Sequence, residues 1–213
     1  MRLIGMLDSP YVRRVAISLQ LLGLRFEHLA VSVFRGFDEF QAINPVVKAP
    51  TLVCYNGTVL MDSGLILDYA QALARRSLMP SDLPNLQLDL RVISLGLAAC
   101  EKSVQIIYER ELRPLEKQHA PWVTRVTGQM LAAFDGLEAE VACRPLAASC
   151  SQMTQAGVVC AVTWHFAQQM LPELVPLARF PAQAEFSRKA EALVPFQAAR
   201  HGPGTCVPMM QLT

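Results

Sequence analysis

Three short stretches of this chain hold residues whose types and spacing suit chemistry: Ser9-Pro10, Lys48-Ala49-Pro50 and Asp62-Ser63. Ser9 stands where a first strand should give way to a helix. Asp62-Ser63 stands at the start of a later helix, ahead of the apolar set Leu65, Ile66, Tyr69 and Leu73. Helix N-termini present unpaired N–H groups and a positive dipole end, so both places favour anions. Each stretch also has a plain structural reading. Ser9 would be an N-cap with Pro10 at N1, where the missing N–H costs nothing. Asp62-Ser63 would be a cap as well. Pro50 would merely open an edge strand, since proline cannot donate to a ladder.

The elements that must position these residues can be traced in order. Residues 2–6 form a first strand, and Asp8-Ser9-Pro10 ends it. Val12, Val15, Ala16, Leu19 and Leu22 recur at helical spacing, which predicts an amphipathic helix closed by Gly23. Residues 25–29 form a second strand, parallel to the first because a helix crosses between them. A short helix is expected over residues 37–43. The β-prone run Thr51-Leu52-Val53-Cys54, the pair Asn56-Gly57 and residues 58–61 predict a hairpin with a type I′ turn. A third helix follows, over about residues 63–76. The order β-α-β-α-β-β-α is a compact α/β module.

Pro80 and Pro84 break the pattern, which places a linker over residues 77–85. Beyond it the signals are helical. Leu86, Leu90, Ile93, Leu97, Cys100, Val104 and Ile107 form a bundle seam. Further helices are expected over about 121–141, with Val123, Val126, Met130, Phe134, Leu137 and Val141 on one face, over 154–169 and over 181–193. The tail from His201, with Gly202, Pro203, Gly204 and Pro208, should be irregular. The cluster Trp164-His165-Phe166 is read as core, and His165 is given no role.

Composition excludes several functions. The chain has 213 residues, 52% hydrophobic and 17% charged, which suffices for a large interior. A net charge of +1 gives no electrostatic case for nucleic acid or an anionic membrane. The apolar run at residues 3–7 is too short for a secretory signal. Residues 145–172 lack Asp, Glu, Lys and Arg, but polar side chains such as Gln155, His165 and Gln168 interrupt them, so a buried helix is expected and not a membrane span. The six cysteines show no C-x-x-C or zinc spacing and read as buried or free thiols of a cytoplasmic protein. There is no P-loop and no G-x-G-x-x-G, and no metal is expected.

Taken together, S-P-Y-V-R-R-V at residues 9–15, N-P-V-V-K-A-P-T-L at 44–52 and D-S-x-x-I-x-x-Y through Tyr69 resemble the cytosolic glutathione transferases, in particular serine-type bacterial members. The resemblance implies an α/β thioredoxin-like N-terminal domain, residues 1–77, followed by an all-α helical bundle domain, residues 86–213. It implies glutathione as co-substrate, and a homodimer. Carried onto this chain, it makes Ser9 the catalytic hydroxyl at the glutathione sulfur and Pro50 a cis-proline. Ala49 becomes the backbone partner of the cysteinyl part, Asp62 and Ser63 the holders of the γ-glutamyl end, and Lys48 a neighbour of the glycyl carboxylate. The loop at residues 33–37 would add glycyl-end contacts. Tyr108 and Arg110 on the long helix would contact the second substrate.

The chemistry suits these types. A thiol with a reference pKa of about 8.5 is mostly protonated at neutral pH, and the thiolate is the nucleophile. A hydroxyl donor and a helix N-terminus both favour the ion. The implied activity is attack of glutathione thiolate on an electrophile bound between the domains, as in detoxification. The resemblance leaves two alternatives: a non-catalytic binding or regulatory protein of the same fold, and a glutathione-dependent isomerase or dehalogenase. One departure from the family pattern is Thr154-Gln155-Ala156-Gly157, which keeps the helix cap but lacks the acid of a capping box.

Overall fold

The computed structural model describes residues 1–207. Packing divides the chain into two compact units. One holds residues 1–78, 149–153 and 191–207; the other holds residues 79–148 and 154–190.

The first unit is the thioredoxin-like α/β module. Its elements are β1 (Arg2–Ile4), α1 (Pro10–Leu21), β2 (Glu27–Leu29), α2 (Phe37–Ile43), β3 (Thr51–Val53), β4 (Val59–Met61) and α3 (Ser63–Ala74). The sheet order is β2-β1-β3-β4. β1 pairs parallel with β2 and antiparallel with β3, and β3 pairs antiparallel with β4. Leu3, Ile4, Leu52, Val12, Val15 and Ile66 are fully buried. The parallel pair therefore follows from the helical crossover, as the sequence predicts.

The hairpin forms with a different turn. Gly57 has φ +85, but Asn56 is not among the residues with positive φ. Gly57 N–H donates to Cys54 O at 3.0 Å, and Cys54 N–H to Thr58 O at 2.8 Å. This is a three-residue loop with glycine in the left-handed position, and not a type I′ turn. The Asn56 carboxamide takes up the Thr58 N–H at 3.1 Å, which stabilises its own backbone without positive φ.

The second unit contains α4 (Leu83–Leu112), α5 (Ala120–Cys143), α6 (Gln155–Met170) and α7 (Pro181–Glu191), with single 3-10 turns at Leu115–Lys117 and Leu177–Arg179. α4 begins earlier than expected. Asp82 caps it through Asn85 N–H, and Pro84 lies in its first turn, where proline is tolerated. Its inward face is also rotated from the expected seam. Val92, Gly96, Ala99, Cys100, Ser103 and Ile106 are buried, whereas Leu90 is half exposed. The cause is close packing: a Cβ on Gly96 would collide with Val159 of α6. Small residues thus mark the contact, and the larger apolar ones lie beside it. Phe134, Trp164 and Phe180 form a core cluster with ring centroids 5.8–6.2 Å apart. Thr154 caps α6 through Gly157 N–H at a long 3.4 Å, with no acid to complete the box.

Residues 191–207 fold back onto the first unit and include α8 (Val194–Ala198). They explain why α1 is buried all round rather than on one face. Arg13, only 1% exposed, donates to both Glu191 carboxylate oxygens (2.7 and 2.5 Å) and to Ala199 O at 2.8 Å. Gln20 Nε2 donates to Pro195 O at 3.1 Å. Cys206 N–H donates to His28 Nδ1 at 2.9 Å, and His28 Nε2 lies 2.8 Å from Gly5 O. The irregular tail expected from His201 is free of helix and strand as far as Val207; Pro208 lies outside the described residues. No helix of the described residues is long and apolar enough to cross a membrane.

Candidate functional site

Ser9 occupies the N-cap of α1, with Pro10 in the first turn. Its Oγ accepts from Val12 N–H at 3.4 Å, beyond the usual range for such a bond. The cap is therefore weak, and a hydroxyl that accepts from the backbone keeps its own proton for another acceptor. Ser9 is only half-buried, so that proton is accessible.

The loop ahead of β3 is clamped by its own polar side chains. Asn44, 3% exposed, donates from Nδ2 to Thr51 Oγ1 at 2.8 Å and accepts from Val46 N–H at 3.1 Å. Thr51 Oγ1 donates to Lys48 O at 2.7 Å. Within this clamp Val47 has φ +51, and the Ala49–Pro50 bond is cis. A β-branched residue at positive φ is a true outlier and persists only where its surroundings impose it.

The loop reaches the turn between β1 and α1. Gly5 has φ +135, and a Cβ there would lie 2.6 Å from Val12 Cγ2 and 3.1 Å from the Ala49 Cβ. Glycine at position 5 thus permits Ala49 to approach the segment that leads to Ser9.

Asp62 is the N-cap of α3 and has φ +69, ψ 127. Its Oδ1 accepts from Gly64 N–H at 2.9 Å, and its Oδ2 lies 3.5 Å from Lys48 Nζ. Ser63, the first residue of α3, is 4% exposed and accepts from Arg14 Nη1 at 3.3 Å. The structure thus links the expected site residues of this unit. Lys48 meets Asp62, Ala49 meets the β1–α1 turn, and Ser63 is tied to α1. Of the non-glycine residues with positive φ, Val47 precedes Lys48 and Asp62 is itself one of the linked residues; Arg75, at φ +50, is the left-handed C-cap of α3.

Tyr108 and Arg110 lie on α4, in the other unit. Tyr108 is 45% exposed, and Arg110 donates to Glu173 at 2.6 Å. That guanidinium holds the Glu173 carboxyl below its ordinary range. In the loop at residues 33–37, Ser32 Oγ accepts from Phe34 and Arg35 N–H at 3.2 Å each.

Sequence reasoning passed over Gly5, Asn44 and Arg14. Asn44 before a proline is a recognisable turn signal. A glycine ending a strand signals close backbone approach. Nothing in the sequence singles Arg14 out from Arg13.

Burial pushes the Cys160 and Cys206 thiols up to about 12, so neither is a nucleophile at neutral pH. Among the described residues no group of three or more His, Cys, Asp and Glu side chains could hold a metal ion.

Residues 3–77 match the family described as glutathione S-transferase, N-terminal domain. The chain is 26% identical over 175 residues to the uncharacterised glutathione-transferase-like protein YibF of Escherichia coli K12, covering 81% of this chain and 85% of that one. A glutathione S-transferase of Methylobacterium radiotolerans, solved with glutathione sulfonate, is 27% identical with a TM-score of 0.81, over 93% of both chains. A glutathione transferase family member of Pseudomonas fluorescens Pf-5, solved with glutathione, is 26% identical with a TM-score of 0.81, over 94% of this chain and 98% of that one. Ser9, Lys48, Ala49, Pro50, Asp62 and Ser63 all lie inside the matched segment. Residues 3–77 thus match the model of a glutathione S-transferase N-terminal domain, and the chain shares the fold of these solved glutathione transferases.

Proposed function

We propose that this chain is a glutathione transferase. It binds glutathione through Asp62, Ser63, Ala49, Pro50 and Lys48, and it uses Ser9 to favour the thiolate for attack on an electrophile. The observation that carries the reading is the pairing of a clamped loop, in which Val47 has φ +51, with Asp62 held at φ +69. Strained backbone of this kind persists where structure over-determines it, and it clusters at ligand sites. Related proteins solved with glutathione or glutathione sulfonate add weight.

The roles follow from the groups present. Asp62 supplies an acceptor for the γ-glutamyl ammonium, and Ser63 with the α3 N-terminus supplies donors for its carboxylate. The Ser9 hydroxyl would donate to a negative sulfur, and the α1 N-terminus would favour the same charge. Serine-type chemistry, a cytoplasmic homodimer and a detoxifying role complete the proposal, with Tyr108 and Arg110 as candidate contacts to the electrophile.

Retention on immobilised glutathione and calorimetry test binding. A panel of electrophiles, assayed for both product and remaining free thiol, tests the reaction. Retention, with thiol consumed in step with product, supports transfer. Substrate turnover with no loss of thiol would replace transfer by isomerisation. Failure to bind glutathione at all would leave a non-catalytic protein of this fold.

A further inference from the structure

We propose that Arg14 is a positioning residue that acts through Ser63, turning the serine hydroxyl into a dedicated donor for the α-carboxylate of the γ-glutamyl group. The inference rests on the glutathione reading above and assigns a role to a residue outside it.

Arg14 lies in the first unit on α1, 6% exposed, with Nη1 3.3 Å from Ser63 Oγ. A guanidinium carries donors only, so Ser63 Oγ is the acceptor in this contact. The serine's own proton is then left for a different acceptor. A hydroxyl that accepts from a cation is polarised and donates more strongly, and a low local dielectric enlarges the effect. Ser63 is itself 4% exposed, so little water competes at its oxygen. The α3 N-terminus adds a positive dipole end at the same residue. Cation, hydroxyl and helix end all call for an anionic acceptor. Beside them Asp62 offers the opposite sign, with its side chain 54% exposed. Donor and acceptor side by side suit a free α-amino-acid head, which a γ-linked peptide keeps and an α-linked one loses.

A purely structural role for Arg14, holding α1 against α3, makes a different prediction. Its loss would then weaken every ligand of the site alike. The test compares glutathione with 4-aminobutanoyl-cysteinylglycine, which lacks only the α-carboxylate. Calorimetry is run on the wild-type chain, Arg14→Gln, Ser63→Ala and the double variant, with circular dichroism to check folding. Arg14→Gln is expected to weaken glutathione roughly five- to tenfold, to leave the decarboxylated analogue unchanged, and to add nothing in the Ser63→Ala background. Unchanged glutathione affinity overturns the proposal. So does an equal loss for both ligands, or a loss that adds to that of Ser63→Ala. If Arg14→Gln does not fold, Arg14→Lys is read against the same two ligands, with a smaller loss confined to glutathione expected. A wild-type chain that binds neither ligand would overturn the glutathione reading beneath, and the role of Arg14 with it.

Discussion

Lys48 Nζ lies 3.5 Å from Asp62 Oδ2, which joins the loop ahead of β3 to the N-cap of α3. Both side chains are more than half exposed, at 52% and 54%. A pair so open to water contributes under about 1 kcal/mol. It can therefore give way to a ligand that offers Asp62 an ammonium and Lys48 a carboxylate. Asp62 has a second task, because its Oδ1 caps Gly64 N–H at 2.9 Å.

The two tasks of Asp62 separate by substitution. Asp62→Asn keeps an oxygen for the cap and tolerates positive φ, but it loses the charge. Glutathione affinity should fall about tenfold, the size of a lost charge-assisted bond, with little change in melting temperature. Asp62→Ala should lose the same affinity and about 1 kcal/mol of stability as well. Calorimetry and thermal melts on both variants read the two effects apart. Equal affinity of Asp62→Asn and wild type would remove Asp62 from the binding site.

Stability should fall on mild acidification. His28 Nδ1 accepts from Cys206 N–H, so the ring is neutral with its proton on Nε2, donated to Gly5 O. Burial is the main cause that lowers the His28 pKa, against a smaller raising effect of the Gly5 carbonyl. His201 is lowered as well, first by burial and then by Arg13, against the raising effect of Asp8 and Glu191. A histidine with a depressed folded pKa binds protons more readily when unfolded. Its stabilisation is thus full above the unfolded value of about 6.5 and is lost as pH falls below it. Urea midpoints from pH 8 to 5 should decline below about 6.5. The decline should be shallower in His28→Gln; an identical slope would clear His28 of the effect.

The docking of residues 191–207 should depend on Arg13. Its side chain is 2% exposed, against 22% for Glu191. Breaking a buried pair leaves a charge without its partner and costs about 3 kcal/mol. Arg13→Met and Glu191→Gln should each lower the unfolding free energy read from urea titrations by an amount of that order. The double variant should cost less than the sum, because the two residues share one interaction. Strict additivity would show that the ion pair carries no coupling.

Local patterns announced most of the first unit. The span of α2, the crossover between β1 and β2, and a cap at Ser9 all depend on neighbours in sequence. Three features were not legible, each for a physical reason. The burial of Arg13 and Gln20 on α1 comes with contacts to residues 191–207, some 180 positions away. The inward face of α4 was misjudged because close approach at Gly96 selects small residues over the bulky apolar ones that periodicity counts. Val47 and Asp62 have positive φ, and neither side chain advertises it. The three stretches picked out for chemistry lie 40 and 14 residues apart in sequence, counted from Ser9 to Ala49 and from Lys48 to Asp62. The sheet brings their neighbours together: Ile4 pairs with Thr51, and Thr51 with Met61.

Ser9 should act on the thiol of bound glutathione, and on affinity only where the thiolate form is bound. Its cap bond to Val12 N–H is 3.4 Å, so deleting the hydroxyl removes only a weak contribution to α1, under about 1 kcal/mol. A hydrogen bond from the same hydroxyl to a thiolate is worth roughly 1.5–3 kcal/mol, or one to two pKa units. The serine need not lose its own proton, since donating a bond suffices. Ser9→Ala should therefore raise the thiol pKa of the complex by about that amount and slow conjugation at neutral pH. Affinity should change little at a pH below the thiol pKa of the complex, where the bound thiol is protonated, and should fall above it as the bond to the thiolate is lost. Rate should recover at high pH, where the thiolate forms unaided. Thiolate absorbance of the complex against pH, in wild type and Ser9→Ala, measures the shift directly. If both titrate at the same pH, Ser9 is only the cap of α1, and the dipole of that helix carries the stabilisation of the thiolate.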